Sequence, residues 1–303
     1  MIELIDTNSA EIAAEFVRAR TRAGSPAMGM VMTLIIVTDE ASAHDALEAA
    51  KFASHEHPAR LLGVILRDPH GPSQINAQVG MGESFTGEVA LMRLRGEVVK
   101  HCESVVLPLL LPDSPVVAWW PTDAPEDPAA DPLGRLAQRR ITDAAAATRS
   151  KRTALAIQCA SYARGNTDLA WTRITLWRAL LAAALDQQPL RITRGTVEAE
   201  RISPSADLLA AWLEDRLRIK VERRTSAGPG ITEVSLDTRE GPIRIHREDG
   251  KLATLSSPGR PDRPIALKRR EVPELLAEEL RRLDEDNIYA TAIRRLAKKE
   301  ARK

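Results

Sequence analysis

The sequence predicts an α/β protein, with an N-terminal, mostly parallel sheet covered by helices, followed by an α+β domain with an antiparallel meander. Three observations predict it. The runs Met30-Val-Met-Thr-Leu-Ile-Ile-Val37 and Arg60-Leu-Leu-Gly-Val-Ile-Leu-Arg67 are short, nearly continuous and apolar, as strands buried on both faces are. An Ala-rich helical pattern over 42–55 lies between them, which makes a βαβ unit. From 219 onward, short alternating segments are separated by Gly228-Pro-Gly230, Gly241-Pro242 and Asp249-Gly250, the turn signals of a meander.

Taken in order, a helix over 9–22 precedes the first buried strand. After the βαβ unit, extended segments at 75–80 and 88–95, joined through Gly80, Gly82 and Gly87, predict an antiparallel edge hairpin. A helix over 97–109 and a strand over 116–120 complete the sheet. Seven prolines (Pro108, Pro112, Pro115, Pro121, Pro125, Pro128, Pro132) fall within one short stretch, so 121–132 is expected as a stiff surface loop without long helices. Residues 133–165 read as interrupted helix, and Gly165-Asn166 is the expected boundary between domains 1–165 and 166–303.

Past that boundary Asp168 is placed to cap an amphipathic helix with Trp171, Ile174, Arg178, Leu181 and Leu185 on one side and Trp177, Leu180 and Ala184 beside it. A strand over 190–200 follows. Ser203-Pro204 then forms an N-cap and first-turn pair for a helix that carries Leu208, Leu209, Trp212, Leu213 and Leu217. The meander occupies 219–256, and two helices over 273–284 and 286–299 close the chain.

Composition removes several function classes. At 303 residues, 44% hydrophobic and 28% charged, the chain is neither disordered nor collagen-like, and its length suits about two domains. Residues 1–165 hold 16 basic against 20 acidic residues and 166–303 hold 27 against 22. Neither half has the strong basic excess of a nucleic-acid binder. The two cysteines, Cys102 and Cys159, form no CxxC pair, so a disulfide framework or thiolate zinc site is not expected and a reducing, cytoplasmic setting fits. The start, with Glu3 and Asp6, is unlike a signal peptide, and no apolar run is long enough to span a membrane.

Motifs for small-molecule chemistry fail on inspection. Gly24-Ser-Pro-Ala-Met-Gly29 has phosphate-loop glycine spacing, but Met30 and Val31 stand where Lys and Ser/Thr are required. Gly80-Met-Gly82 is followed by Phe85 where a dinucleotide fingerprint needs a third Gly or Ala. His55-Glu-His57 cannot put both imidazoles on one helical face, and it reads as solvated His at a helix C-terminus. Neighbours His101 and Cys102 project in different directions, so Cys102 reads as structural. No cofactor, metal site or catalytic set is expected.

The most specific stretch is Ser114-Pro-Val-Val-Ala-Trp-Trp-Pro121. A chain with 5 Trp, 2 Tyr and 3 Phe is short of rings, so a Trp-Trp pair leaving a buried strand is informative. Either its rings point to opposite faces, one under a helix and one toward the sheet rim, where open α/β sheets receive ligands or partners, or both are structural rings filling a core otherwise short of aromatics. Beside it, Arg135-Leu-Ala-Gln-Arg-Arg-Ile-Thr-Asp143 carries three guanidiniums, set either to bind anions or to pair with Asp123, Glu126, Asp127 and Asp131. The candidate partner-binding residues are therefore Trp119, Trp120, Pro121, Arg135, Arg139 and Arg140.

The string Glu103-Ser-Val-Val-Leu-Pro-Leu-Leu-Leu-Pro-Asp-Ser-Pro-Val-Val-Ala-Trp-Trp-Pro121, continued by Asp131-Pro-Leu-Gly-Arg-Leu-Ala-Gln-Arg-Arg-Ile-Thr-Asp143, resembles the glucose-6-phosphate dehydrogenase assembly protein (OpcA) family of actinobacteria and cyanobacteria. Further matching strings are Gly165-Asn-Thr-Asp-Leu-Ala-Trp-Thr-Arg173, Trp177-Arg-Ala-Leu-Leu-Ala-Ala-Ala-Leu-Asp186 and Ser203-Pro-Ser-Ala-Asp-Leu-Leu-Ala-Ala-Trp-Leu213. The resemblance implies a non-catalytic cytoplasmic protein that associates with glucose-6-phosphate dehydrogenase, promotes its active oligomer and raises NADPH supply from the oxidative pentose phosphate pathway. It supplies no catalytic residues. Two other readings stay open: an α/β enzyme or sensor that binds a sugar phosphate or nucleotide through 135–140, and nucleic-acid binding by Arg294, Arg295, Lys298 and Lys299.

Overall fold

The computed structural model describes residues 1–23, 29–81, 87–187 and 190–301, with Ala23 and Glu300 described in their backbone alone. Along the chain the elements are β1 (Ile2–Leu4), α1 (Ser9–Ala23), β2 (Met32–Thr38), α2 (Ala43–Ser54), β3 (Ala59–Leu66), β4 (Gln74–Met81), β5 (Gly87–Arg95), α3 (Cys102–Val106), β6 (Val116–Trp119) and β7 (Arg139–Thr142). They continue as α4 (Lys151–Ala160), β8 (Asn166–Asp168), α5 (Leu169–Thr172), α6 (Thr175–Gln187), β9 (Arg194–Ala199), α7 (Pro204–Leu217), β10 (Val221–Thr225), β11 (Ile231–Thr238), β12 (Gly241–His246), β13 (Leu252–Ser256), β14 (Arg263–Ala266), α8 (Val272–Leu280) and α9 (Asn287–Glu300).

Internal contacts divide these elements into two units. The first comprises Met1–Ala146, Gly165–Thr167 and Val272–Glu285, and the second Ala147–Arg164, Asp168–Glu271 and Asp286–Lys303.

The first unit is built on an eight-stranded sheet of order β1-β4-β5-β3-β2-β6-β7-β8. The pairs β5/β3, β3/β2, β2/β6 and β6/β7 are parallel, while β1/β4 and β4/β5 are antiparallel. The expected α/β fold is thus present. The β4–β5 pair is antiparallel as the glycine spacing predicted, but β1 pairs outside it, so the hairpin is not the sheet edge.

Strand alternation sorts the core. Ile35, Leu62, Val64, Ala90 and Ala118 join Ile12 and Phe16 of α1 and Val105 and Val106 of α3 in one cluster. The alternate residues Ile65 and Leu91 meet Ala43 of α2 on the other face, where α8 packs against α2. At the ends of β3 and β5, fully buried Glu88 accepts from Arg60 Nε at 2.8 Å and from Arg20 at 2.6 Å.

The predicted helix over 97–109 is instead one α turn flanked by 3-10 turns. Gly96 at φ +76° sets its entry and Pro108, which cannot donate within a helix, ends it.

The second unit holds a six-stranded sheet, β10-β9-β11-β12-β13-β14. Strands β11 to β14 form the expected antiparallel meander, with β14 an addition. Strand β10, expected within the meander, runs parallel to β9 at its edge, because α7 separates the two in sequence and returns the chain in the same direction. Ser203 Oγ caps α7 by accepting from Ala206 N at 3.4 Å, with Pro204 in the first turn. Asp168 Oδ1 accepts from Ala170 N at 2.8 Å, but the helix it caps ends at Thr172, and α6 starts afresh at Thr175.

Candidate partner-binding site

Strand β6 lies between β2 and β7, so both its edges are paired. Trp119 leaves it on the face opposite Ala118, and Trp120, just past the strand, joins Ala118, Ile35, Leu133 and Ala137 in the main core cluster. The opposite projections are those expected from alternation. The expectation that one ring faces the rim is not met: Trp119 is 0% and Trp120 2% exposed, and Pro121 is buried as well. Trp119 Nε1 is buried with no hydrogen-bond partner, which costs about 1–3 kcal/mol.

The three guanidiniums do not converge. Arg139 and Arg140 occupy consecutive positions of β7, opposite Val117 and Ala118, so they leave on opposite faces of the sheet. Arg139 is 2% exposed; its Nη2 donates to Glu279 of α8 and its Nη1 donates to the Asp284 carbonyl at 2.8 Å. Arg140 donates to Asn166 Oδ1 at 2.6 Å and to the Ala137 carbonyl at 2.7 Å. Burial pulls its guanidinium below the usual range, with Asp127 acting in the other direction.

The expected pairing with the proline-loop acids therefore gives way, for Arg139, to Glu279. The reason is that 139–142 forms a strand where interrupted helix was expected. Gly165 permits the arrangement. Its φ is +87°, and a side chain there would run into the Gln138 carbonyl and the Arg140 guanidinium.

Arg135 alone among the six candidates is exposed. It sits in a 3-10 turn, Gly134–Leu136, whose start Asp131 stabilises by accepting from Leu133 N at 2.9 Å and Gly134 N at 3.0 Å. Burial pushes the Asp131 carboxyl up, against those two bonds. A side chain at Gly134 would overlap the Pro128 carbonyl and meet the Trp120 ring, so the proline loop lies directly over that indole. Asp123, Glu126 and Asp127 are exposed on the same loop. The surface here is a mixed-charge loop with Arg135 beside it, shaped from beneath by buried Trp120 and Arg140.

The other sequence candidates take structural roles. His55 is exposed at the end of α2 with Nδ1 3.1 Å from the Phe52 carbonyl, and His57 Nε2 lies 3.1 Å from the Ala277 carbonyl. Cys102 is buried, and its thiol is pushed up to about 11, by burial first and then by Asp131 and Glu103. Of the four basic residues proposed for nucleic acid, Arg295 and Lys299 approach Glu214 at 3.4 and 3.0 Å, and Arg294 stands over the Tyr162 ring. Among the described residues no group of three His, Cys, Asp or Glu could hold a metal, and no helix is long and apolar enough to cross a membrane. Residues 24–28 of the glycine-spaced loop, with Gly82 and Phe85, lie outside the described residues.

Sequence reasoning missed an open groove in the second unit, of about 860 Å³, where Arg191, Arg218, Lys220 and Arg239 surround Leu185, Leu217 and Ile219. Its signal was faint: the cations come from segments that the sequence separates.

Two family matches cover most of the molecule. Residues 50–159 match the N-terminal domain of the glucose-6-phosphate dehydrogenase subunit, and residues 164–293 match the C-terminal domain of the same family. The chain belongs to the glucose-6-phosphate dehydrogenase assembly (OpcA) family. The N-terminal match of this OpcA-family chain contains all six candidate residues, from Trp119 to Arg140.

No curated protein matches the chain. Among solved structures it is similar to an oxidoreductase from Sinorhizobium meliloti, at 9% identity and a TM-score of 0.43 over 90% of this chain and 89% of that one. It is also similar to an inositol dehydrogenase homolog from Azotobacter vinelandii, complexed with NADH and myo-inositol, at 9% identity and a TM-score of 0.42 over 92% and 89%. At such values neither likeness bears on the function of the OpcA-family chain.

Proposed function

We propose that this chain is a non-catalytic, cytoplasmic assembly factor that binds glucose-6-phosphate dehydrogenase and favours its active oligomer, raising NADPH production in the oxidative pentose phosphate pathway. The observation that carries the reading is the pair of family-domain matches, in order, over 50–159 and 164–293. The physical requirement is differential affinity. A factor that binds both oligomeric states equally shifts nothing, and moving a 1:99 equilibrium to 99:1 takes a preference of about 10⁴-fold.

Docking is assigned to the surface around the proline loop. Arg135 and the exposed loop acids touch the enzyme, while Trp119, Trp120, Pro121, Arg139 and Arg140 act from within by fixing the loop and β7. The competing sugar-phosphate reading loses its cradle, since Arg139 and Arg140 leave β7 on opposite faces and are both buried.

Purified chain titrated onto the dehydrogenase of its own organism is expected to raise activity and shift the enzyme's oligomer size in sedimentation. A flat response in both measurements overturns the proposal.

A further inference from the structure

The second unit contains a cavity of about 640 Å³ bounded by α4, α7, β10 and α9. That volume lies within the range of small-molecule sites, about 300–1,000 Å³. Four cations line it, from distant parts of the chain: Arg152 in the first turn of α4, Arg201 just ahead of α7, Arg223 on β10 and Lys299 in the last turn of α9. Against them stands a single carboxylate in the lining, Asp207, which Arg223 Nε holds at 2.9 Å.

Lys299 is engaged by Glu214 at 3.0 Å. Arg152 and Arg201 are exposed and have no carboxylate within ion-pair distance among the described residues. The remaining wall is mostly aliphatic, with buried Leu155 and Leu296, the buried thiol of Cys159 and a single hydroxyl, that of Thr153. The first turns of α4 and α7 also border the cavity, which adds to its preference for negative charge.

We infer that this cavity binds a nucleotide, with its phosphates at Arg152 and Arg201 and its base against Leu155 and Leu296. Guanidiniums without carboxylate partners at the mouth suit phosphate oxygens, which they engage in bidentate fashion. The aliphatic wall offers few hydrogen bonds to a hydroxyl-rich sugar but accepts the flat apolar face of a base. A floor of buried side chains between helices suits a ligand that enters the cavity better than a protein surface laid across it.

The test uses the full chain alone, so its outcome is independent of whether the dehydrogenase binds. Titration calorimetry with ATP, NADP⁺, glucose 6-phosphate and inorganic phosphate is expected to give saturable binding for a nucleotide, with phosphate and the sugar phosphate at least about tenfold weaker. The double variant Arg152→Ala/Arg201→Ala is expected to weaken nucleotide binding at least about tenfold. Arg191→Ala/Arg239→Ala, in the separate groove, is expected to leave it unchanged.

Labelling of wild-type Cys159 by a small thiol reagent gives a readout that needs no variant, and a bound nucleotide is expected to slow it. The inference is overturned by absence of binding at millimolar nucleotide. It is overturned equally if phosphate or glucose 6-phosphate binds as tightly as the nucleotide, if binding ignores Arg152 and Arg201, or if no nucleotide slows the labelling of Cys159.

Discussion

The indole N–H of Trp171 donates to Asp286 Oδ2 at 2.8 Å, and the other oxygen of that carboxylate accepts the N–H groups of Ile288 and Tyr289, both at 2.9 Å, to cap α9. One side chain thus fixes both a buried ring and the start of a helix. The ring is held further by the Arg178 guanidinium, 3.7 Å from its centroid, and by Tyr289 at 5.7 Å. Asp286→Ala is expected to lose about 1 kcal/mol of capping and about 1–3 kcal/mol more from the orphaned indole N–H. Asp286→Asn, which keeps a capping oxygen, is expected to lose less. Urea midpoints of the three proteins check the order.

The same substitution at two tryptophans separates packing from hydrogen bonding. Trp171→Phe removes a satisfied N–H and strands Asp286 Oδ2, whereas Trp119→Phe removes an N–H that has no partner. Both lose ring volume. Trp171→Phe is therefore expected to be the more destabilising by about 1–3 kcal/mol, measured by chemical unfolding.

Surface and interior arginines are expected to divide docking from stability. Arg135→Glu changes an exposed side chain, so stability moves by less than about 0.5 kcal/mol while activation of the dehydrogenase falls. Arg139→Ala removes the buried guanidinium that donates to Glu279 and to the Asp284 carbonyl, at a cost of up to about 3–5 kcal/mol. A parallel measurement of activation and melting on the two variants checks this. If Arg135→Glu activates fully, the proline-loop surface is not the docking face.

Acid sensitivity is expected to trace in part to Glu15. Its buried carboxylate accepts from Arg22 and, at 2.6 Å, from Arg18, and these bonds, led by Arg22, hold it below the usual value of 4.5. A depressed folded-state value contributes stability that is complete above the ordinary value and is lost as pH falls through the folded one. Glu15→Gln is expected to lower stability at neutral pH and to flatten its decline below about pH 5, read from urea midpoints across that range.

The two thiols are expected to react unequally. Cys102 is buried with its thiol pushed up to about 11, so at neutral pH its thiolate is on the order of 10⁻⁴ of the total. Cys159 lines the 640 Å³ cavity. Native labelling followed by mass spectrometry is expected to modify Cys159 first, with Cys102 reacting only after unfolding.

Elements whose evidence is local were legible. The runs that became β2 and β3 read as buried strands because nearly every position is apolar. Ser203 and Asp168 read as caps because the capping oxygen and the N–H it accepts lie within three residues of each other. Strand β7 was missed because Arg139 and Arg140 look like surface residues, and what lets them be buried is Glu279 in one case and Asn166 in the other, both remote in sequence. The parallel run of β10 was missed because its partner β9 lies across a whole helix rather than across a turn.

By itself the sequence determined the α/β class, the meander, the caps and the strings that place the chain in its family, all of which rest on residue order and short spacings. Tertiary structure alone decided that Trp119 and Trp120 are core rings, that two adjacent arginines serve opposite faces of one sheet, and that Arg152, Arg201, Arg223 and Lys299 share one cavity. Those facts depend on burial and on partners that long-range packing brings together, and no local pattern of residues encodes them.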